Sequence, residues 1–191
     1  ALIQEALNTF KNVILSVART TIEELDKYLS NFTIKDNLIL MYGFQSEPTQ
    51  IKDNNLLRLK ALKKNFNKYK IGFMDHTDGN SEYAKLIPYV AMSTGIEYIE
   101  KHITLNRRSI GPDHSSSMDP IQFKNYVEDL RNIKTVLGKK IKKPCYSELK
   151  NLKIVRKSIV ALKNINKGEI YSSKNICCKR PGSGISPLKW D

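Results

Sequence analysis

Only three histidines occur in the 191 residues, and two of them end short apolar runs. "GFMDHTDG" sets His76 directly after Asp75, and "IEYIEKHITL" sets His102 after Glu100 and Lys101. A strand buried in a core has no use for a cluster of ionisable groups at its end, because each would need a partner out of water. Side chains alternate along a strand, so Met74 and His76 share one face and Asp75 takes the other. By the same rule Glu100 and His102 share a face and Lys101 opposes them. Neighbouring parallel strands lie ~4.8 Å apart, so two imidazoles at matching depth reach one divalent cation. Imidazole suits Mn, Fe, Co or Zn better than Mg or Ca, with Glu100 or water completing the shell. A single histidine at a strand end is commonly a satisfied core residue. Two at corresponding strand ends, one in "DH" and one in "EKH", favour the metal.

Two further stretches carry groups that chemistry can use. "GPDH", Gly111–His114, is ordinary turn chemistry on one reading and places Asp113 on substrate hydroxyls on the other. "GFQSEPT", Gly43–Thr49, is a strand-end turn or a loop that sets Gln45 in a pocket.

The elements that must position these groups alternate through the first 138 residues. "NVILSVA" (12–18), "NLILMYGF" (37–44), "KIGFMDH" (70–76) and "EYIEKHITL" (97–105) are short, near-continuously apolar runs that predict buried strands. Helical patterns follow each one. "TTIEELDKYLSNF" has Thr21 and Glu24 at capping-box spacing and Ile22, Leu25 and Leu29 on one face. "NLLRLKALKKNF" puts Leu56, Leu59 and Leu62 on a stripe. "SEYAKLIPYVAMSTG" contains Pro88 as a possible kink and Gly95 as its stop. "DPIQFKNYVEDLRNIKTVLG" has Asp119 as cap, Pro120 as first residue and Gly138 as stop. Four successive β-α units imply an α/β fold with a parallel sheet, doubly wound or part of a (β/α)₈ barrel. No G-x-G-x-x-G follows a strand, which counts against a dinucleotide fold, and polar groups gather just after the strands, where barrel enzymes keep their chemistry.

After Gly138 the composition changes. Residues 139–153 are basic, weakly periodic and contain Pro144, which predicts a linker. Residues 154–191 show β-type runs at Ser158–Leu162 and Glu169–Tyr171 and turn signals at Asn166–Gly168 and Pro181–Gly184, which predict a small β-rich module. Residues 139–191 hold 14 Lys/Arg against 3 Asp/Glu, so most of the net charge of +13 sits there. Few aromatics interleave with those lysines, so a solvated basic face is favoured over a nucleic-acid surface, and attraction of anionic small substrates lies between. The three cysteines lack CxxC spacing, no run approaches the ~20 apolar residues of a membrane span, and the N-terminal residues lack signal-peptide features. A cytoplasmic protein with neither nucleic-acid nor membrane partners is expected.

Taken in order, "GFQSEPT", "GFMDHTDG", "IEKHITL", "GPDHSSSMDP", "RKSIVA" and "KRPGSGISP" resemble the sialic acid synthase family, which includes N-acetylneuraminate, legionaminate and pseudaminate synthases. The resemblance runs from about Asn12 to the end of the chain. It implies a (β/α)₈ barrel joined to a small antifreeze-like (SAF) domain. It also implies condensation of phosphoenolpyruvate with an N-acylated amino sugar, giving a nine-carbon 2-keto acid and phosphate. His76 and His102 match histidines that hold Mn²⁺ or Mg²⁺, with Glu100 beside them. Gln45, Asp75, Lys101 and Asp113 fall in substrate-binding motifs. Arg180 matches an arginine that the SAF domain offers to the sugar of a partner subunit in a swapped homodimer.

Two positions depart from the family pattern. Met74 stands where many relatives have a serine before "DH", and Glu47 stands where many have tyrosine. Met74 makes no strong hydrogen bond, and Glu47 alters the sugar side. Only four strands are counted, corresponding to the last four of the barrel, and the SAF module is short. The expectation is therefore a partial product holding the metal half of the site, inactive until the other half is supplied. The competing expectation is a non-catalytic carbohydrate-binding or assembly subunit that keeps the fold.

Overall fold

In the computed structural model, which describes residues 2–33, 36–109, 111–180 and 184–190 and the backbone alone at Lys153, the chain opens on a helix that its sequence pattern does not announce. This helix, α1 (Leu2–Thr9), is eight residues long and packs Ile3 against the core. It buries Leu7, and the Asn37 side chain donates to the carbonyls of Leu7 and Phe10. Strands and helices then alternate as β1 (Val13–Ser16), α2 (Ile22–Leu29), β2 (Leu38–Tyr42), α3 (Leu57–Asn65), β3 (Lys70–Asp75), α4 (Tyr83–Ser93), β4 (Tyr98–Lys101) and α5 (Pro120–Leu137).

The predicted punctuation is present. Thr21 and Glu24 cap α2 reciprocally, Asp119 and Gln122 do the same for α5, and Pro120 is the first residue of α5. Gly95 and Gly138, at φ 84° and 61°, follow α4 and α5 in a backbone region that glycine enters without a Cβ penalty. Pro88 lies inside α4, which continues through it.

The four strands are parallel and ordered β1-β2-β3-β4. Spatial order equal to chain order means that each crossover steps in the same direction. Right-handed crossovers then put every helix on one face, as in consecutive units of a barrel, whereas a doubly wound sheet reverses its order. The core agrees. Leu25, Leu29, Leu38, Leu40, Tyr42, Leu59, Leu62, Ile71 and Phe73 fill the layer between sheet and helices. Ile39, Met41 and Met74 make a smaller cluster with Tyr98 on the opposite, inner face. Gly72 lets that inner layer close, since a Cβ there would run into Met41 Sδ and stand 2.8 Å from Tyr98 Cβ.

The chain divides into two compact units, Ala1–Gly138 and Lys139–Asp191. Within the second, the stretch expected as a linker carries most of a helix, α6 (Tyr146–Val155). Its apolar residues Tyr146, Leu149 and Ile154 are exposed, so no buried stripe marked it in the sequence. Strands β5 (Ser158–Ala161) and β6 (Ile176–Lys179) pair antiparallel, with Ile159 opposite Cys178. The run at Glu169–Tyr171 is not a strand: Ile170 and Tyr171 face solvent, and the Asn175 side chain donates to the Ile170 carbonyl in a turn. In the predicted turn at Pro181–Gly184, Pro181 to Ser183 lie outside the described residues. Cys145, Cys177 and Cys178 are free thiols. Among the described residues no helix is long and apolar enough to cross a membrane.

Candidate metal centre

Met74 pairs with Glu100 and Asp75 with Lys101 in the β3–β4 register. The next residues, His76 and His102, therefore leave the sheet side by side, with ring centroids 5.0 Å apart and planes inclined at 63°. The loop after β2 brings Glu47 to them. A carboxylate oxygen of Glu47 and one ring nitrogen from each histidine lie within 4.8 Å of one another. His76 Nδ1 and His102 Nε2 are buried and have no hydrogen-bond partner. Buried polar atoms are nearly always paired, so two orphaned imidazole nitrogens beside a carboxylate form a donor set that fits a divalent cation. Burial, reinforced by the neighbouring His102, holds His76 below the ordinary imidazole value of 6.5 against the opposing pull of Glu47, Asp75 and Glu100. Its lone pair thus stays available at neutral pH.

Backbone contacts lock the three loops around this cluster. The His76 carbonyl accepts the Thr49 N–H and the Ser116 hydroxyl, each at 2.9 Å. The His102 carbonyl accepts the Met118 N–H at 2.9 Å. Asp113, at φ 67°, donates its N–H to Glu47 Oε2 at 3.1 Å, and its own carbonyl accepts the Ser117 hydroxyl at 2.7 Å. Aspartate tolerates this left-handed backbone better than most residues. The third histidine, His114, is engaged through Nδ1 with Thr104 Oγ1 at 3.0 Å.

The structure brings together some of the predicted residues and separates others. His76 and His102 meet as the pleat requires. Glu100 lies on their face one pleat lower, level with Met74, and is exposed, while Glu47 takes the third position expected of it. Gln45 sits at the ends of β1 and β2, with its Nε2 3.4 Å from Ser16 Oγ. Asp113 reaches the cluster through its backbone rather than its carboxylate. Asp75 and Lys101, expected to bind substrate, lie on the face opposite the two histidines. They form an ion pair at 2.9 Å with side chains 0% and 1% exposed, on the helix side of the sheet. Burial, followed by the Asp75 charge, raises the hydroxyl of Tyr126 on α5 above its ordinary value, which marks the side that Asp75 faces. Arg180 is exposed after β6 in the second unit. Glu47 was not singled out as a ligand because four residues of turn separate it from Tyr42, and the pleat rule does not extend through a turn.

The family pattern of NeuB matches residues 1–142. The chain belongs to the NeuB family. It is 37% identical to an N,N'-diacetyllegionaminic acid synthase of Campylobacter jejuni, over 95% of this chain and 54% of that one. It is 33% identical to a pseudaminic acid synthase of Helicobacter pylori, over 97% and 54%. The chain thus spans about half the length of the NeuB relatives it matches. Among solved structures it resembles an N-acetylneuraminic acid synthetase from Leptospira borgpetersenii in complex with citrate, with TM-score 0.67 and 28% identity over 79% of this chain and 51% of that one. A spore coat polysaccharide biosynthesis protein E from Chromobacterium violaceum shares the fold, with TM-score 0.75 over 100% of this chain and 57% of that one. The resemblance to sialic acid synthases is borne out, and the sheet is a curled parallel half-barrel like theirs.

Proposed function

We propose that this chain forms the metal-holding half of a synthase that condenses phosphoenolpyruvate with an N-acylated amino sugar, such as N-acetylmannosamine. The products are a nine-carbon 2-keto sugar acid and phosphate. The observation that carries this reading is the pair of orphaned imidazole nitrogens beside Glu47, at the C-terminal end of a parallel half-barrel in a NeuB chain. Barrel enzymes place catalysis at that end.

His76, His102 and Glu47 would hold the cation. Two imidazoles and a carboxylate favour Mn²⁺, and Mg²⁺ would rely more on Glu47 and water. When bound, such an ion polarises the aldehyde oxygen of an open-chain sugar. In the reaction, C3 of phosphoenolpyruvate attacks the aldehyde carbon, water adds at C2, and phosphate leaves by C–O cleavage. The chain's contribution is position. Thr49, Ser116 and Met118 hold the backbone carbonyls of the two histidines and so fix where their side chains leave the main chain. Gln45 is a donor for a carboxylate or phosphate, and the Asp113 carboxylate is an acceptor for sugar hydroxyls. The second unit reads as SAF-like, and its Arg180 would serve the sugar of a partner subunit in a swapped homodimer.

The test is phosphate release by the complete gene product from phosphoenolpyruvate, N-acetylmannosamine and Mn²⁺. Metal-dependent release is expected. A product that binds Mn²⁺ and sugar but releases no phosphate with any N-acylated amino sugar would overturn the synthase in favour of a carbohydrate-binding subunit.

A further inference from the structure

We propose that Asp75, Thr77 and Lys101 form a positioning clamp that fixes the distance between the two metal histidines. The inference rests on the metal reading of His76 and His102 given above. β3 ends at Asp75 and β4 at Lys101, so both histidines stand one residue beyond the last paired position of the ladder. The sheet hydrogen bonds do not hold them in register. What brackets that level is a polar knot on the opposite face, from the last pair Asp75 and Lys101 to Thr77.

Asp75 Oδ2 is 2.9 Å from Lys101 Nζ. Asp75 Oδ1 accepts the Thr77 N–H at 2.9 Å and the Thr77 hydroxyl at 2.6 Å. Lys101 Nζ donates to the Thr77 carbonyl at 2.7 Å. Every polar group of Thr77 is thereby tied to one of the two charged side chains. His76 sits between two residues of the knot, and His102 directly follows the third. The clamp closes from strand to strand at the last paired level, Asp75 opposite Lys101, and reaches past the histidines to Thr77.

Stability alone does not account for it. Below this level the same face carries Ile71 and Phe73, and an apolar pair would fill the space at least as well, since a buried ion pair gains little net free energy over hydrophobic replacements. What an apolar pair cannot do is hold the turn after His76 through directed bonds to its N–H, hydroxyl and carbonyl. Asp75, Thr77 and Lys101 are therefore positioning residues, remote from substrate and acting through the histidines.

The experiment compares full-length wild type with the apolar double variant Asp75→Leu/Lys101→Met and with Thr77→Val, which keeps the ion pair and removes one donor. Mn²⁺ dissociation constants come from the electron paramagnetic resonance signal of free Mn²⁺, and ligand geometry from the visible spectrum of the Co²⁺-loaded protein. Metal-free thermal unfolding reports the fold separately. The double variant is expected to fold and to bind Mn²⁺ ~10–100-fold more weakly, the range typical when groups behind metal ligands are lost, with a shifted Co²⁺ spectrum. Thr77→Val should show a smaller change of the same sign, and it carries the test if the double variant does not fold. Unchanged affinity and spectrum in a folded variant would overturn the clamp and leave the metal site standing. Failure of wild type itself to bind Mn²⁺ would overturn both.

Discussion

His76 and His102 were legible in the sequence because a strand's alternation is a local rule and both residues sit at strand ends. The same rule had already put Asp75 and Lys101 on the other face. The family resemblance drew them into the expected substrate site, and the structure pairs them with each other on that other face. Glu47 was not legible as a ligand, because the turn that aims it is set by contacts with Asp113 that lie 66 residues away in sequence. Its role separates two carboxylates in a test. Glu47→Gln should weaken Mn²⁺ binding by about tenfold or more, the scale of losses in metal-site mutants, while Glu100→Gln leaves it nearly unchanged in the same titration. His76→Ala and His102→Ala should each abolish it. The pH dependence follows from competition between proton and cation for the same lone pairs. Burial keeps folded His76 neutral until the pH is below the ordinary 6.5, so the proton wins only in acid. Mn²⁺ affinity should hold at neutral pH and fall as the pH drops through 6.5 and below. Affinity that instead rises in acid would remove His76 from the ligand set.

At the scale of elements, the four helices with a buried apolar stripe were readable, two of them, α2 and α5, marked by a reciprocal cap as well, and other elements were not. Thr21 is a case of the first kind. Its hydroxyl accepts the Glu24 N–H at 3.1 Å, and Thr21→Ala should cost about 1 kcal/mol in urea unfolding, as for other lost caps. Helices α1 and α6 and strand β6 are the second kind. α1 offers only Ile3 and Leu7 to the core, α6 turns Tyr146, Leu149 and Ile154 to water, and β6 is four residues long. Gly72 shows how an element fits the site above it. Its missing side chain lets Met41 and Tyr98 meet across the inner face, two residues below Met74. Gly72→Ala forces both neighbours to move and should destabilise the protein by ~1–3 kcal/mol, the usual cost of overpacking a core. A urea midpoint equal to wild type would show the inner layer to be looser than its contacts imply.

For the molecule as a whole, four apolar runs alternating with helical patterns were enough to specify a parallel sheet, of which β2 and β3 are buried almost throughout, and the family resemblance rather than the pattern chose the half-barrel. The division at Gly138 coincides with a change in charge and with the end of α5, both visible in the sequence. The two units make a final prediction possible, because a ligand stabilises only the unit that binds it. At a hundred times its Kd, a cation bound to the native state alone adds about 2.7 kcal/mol, and chelation removes it. His76, His102 and Glu47 all belong to the unit Ala1–Gly138. Adding Mn²⁺ should therefore slow amide exchange in β3, in β4 and in the segment 113–118 whose N–H groups serve the cluster, and EDTA should reverse it. Exchange in β5 and β6 should not respond. Protection confined to Ser158–Ala161 and Ile176–Lys179 would place the cation on the second unit, and then the orphaned nitrogens of His76 and His102 would need another partner.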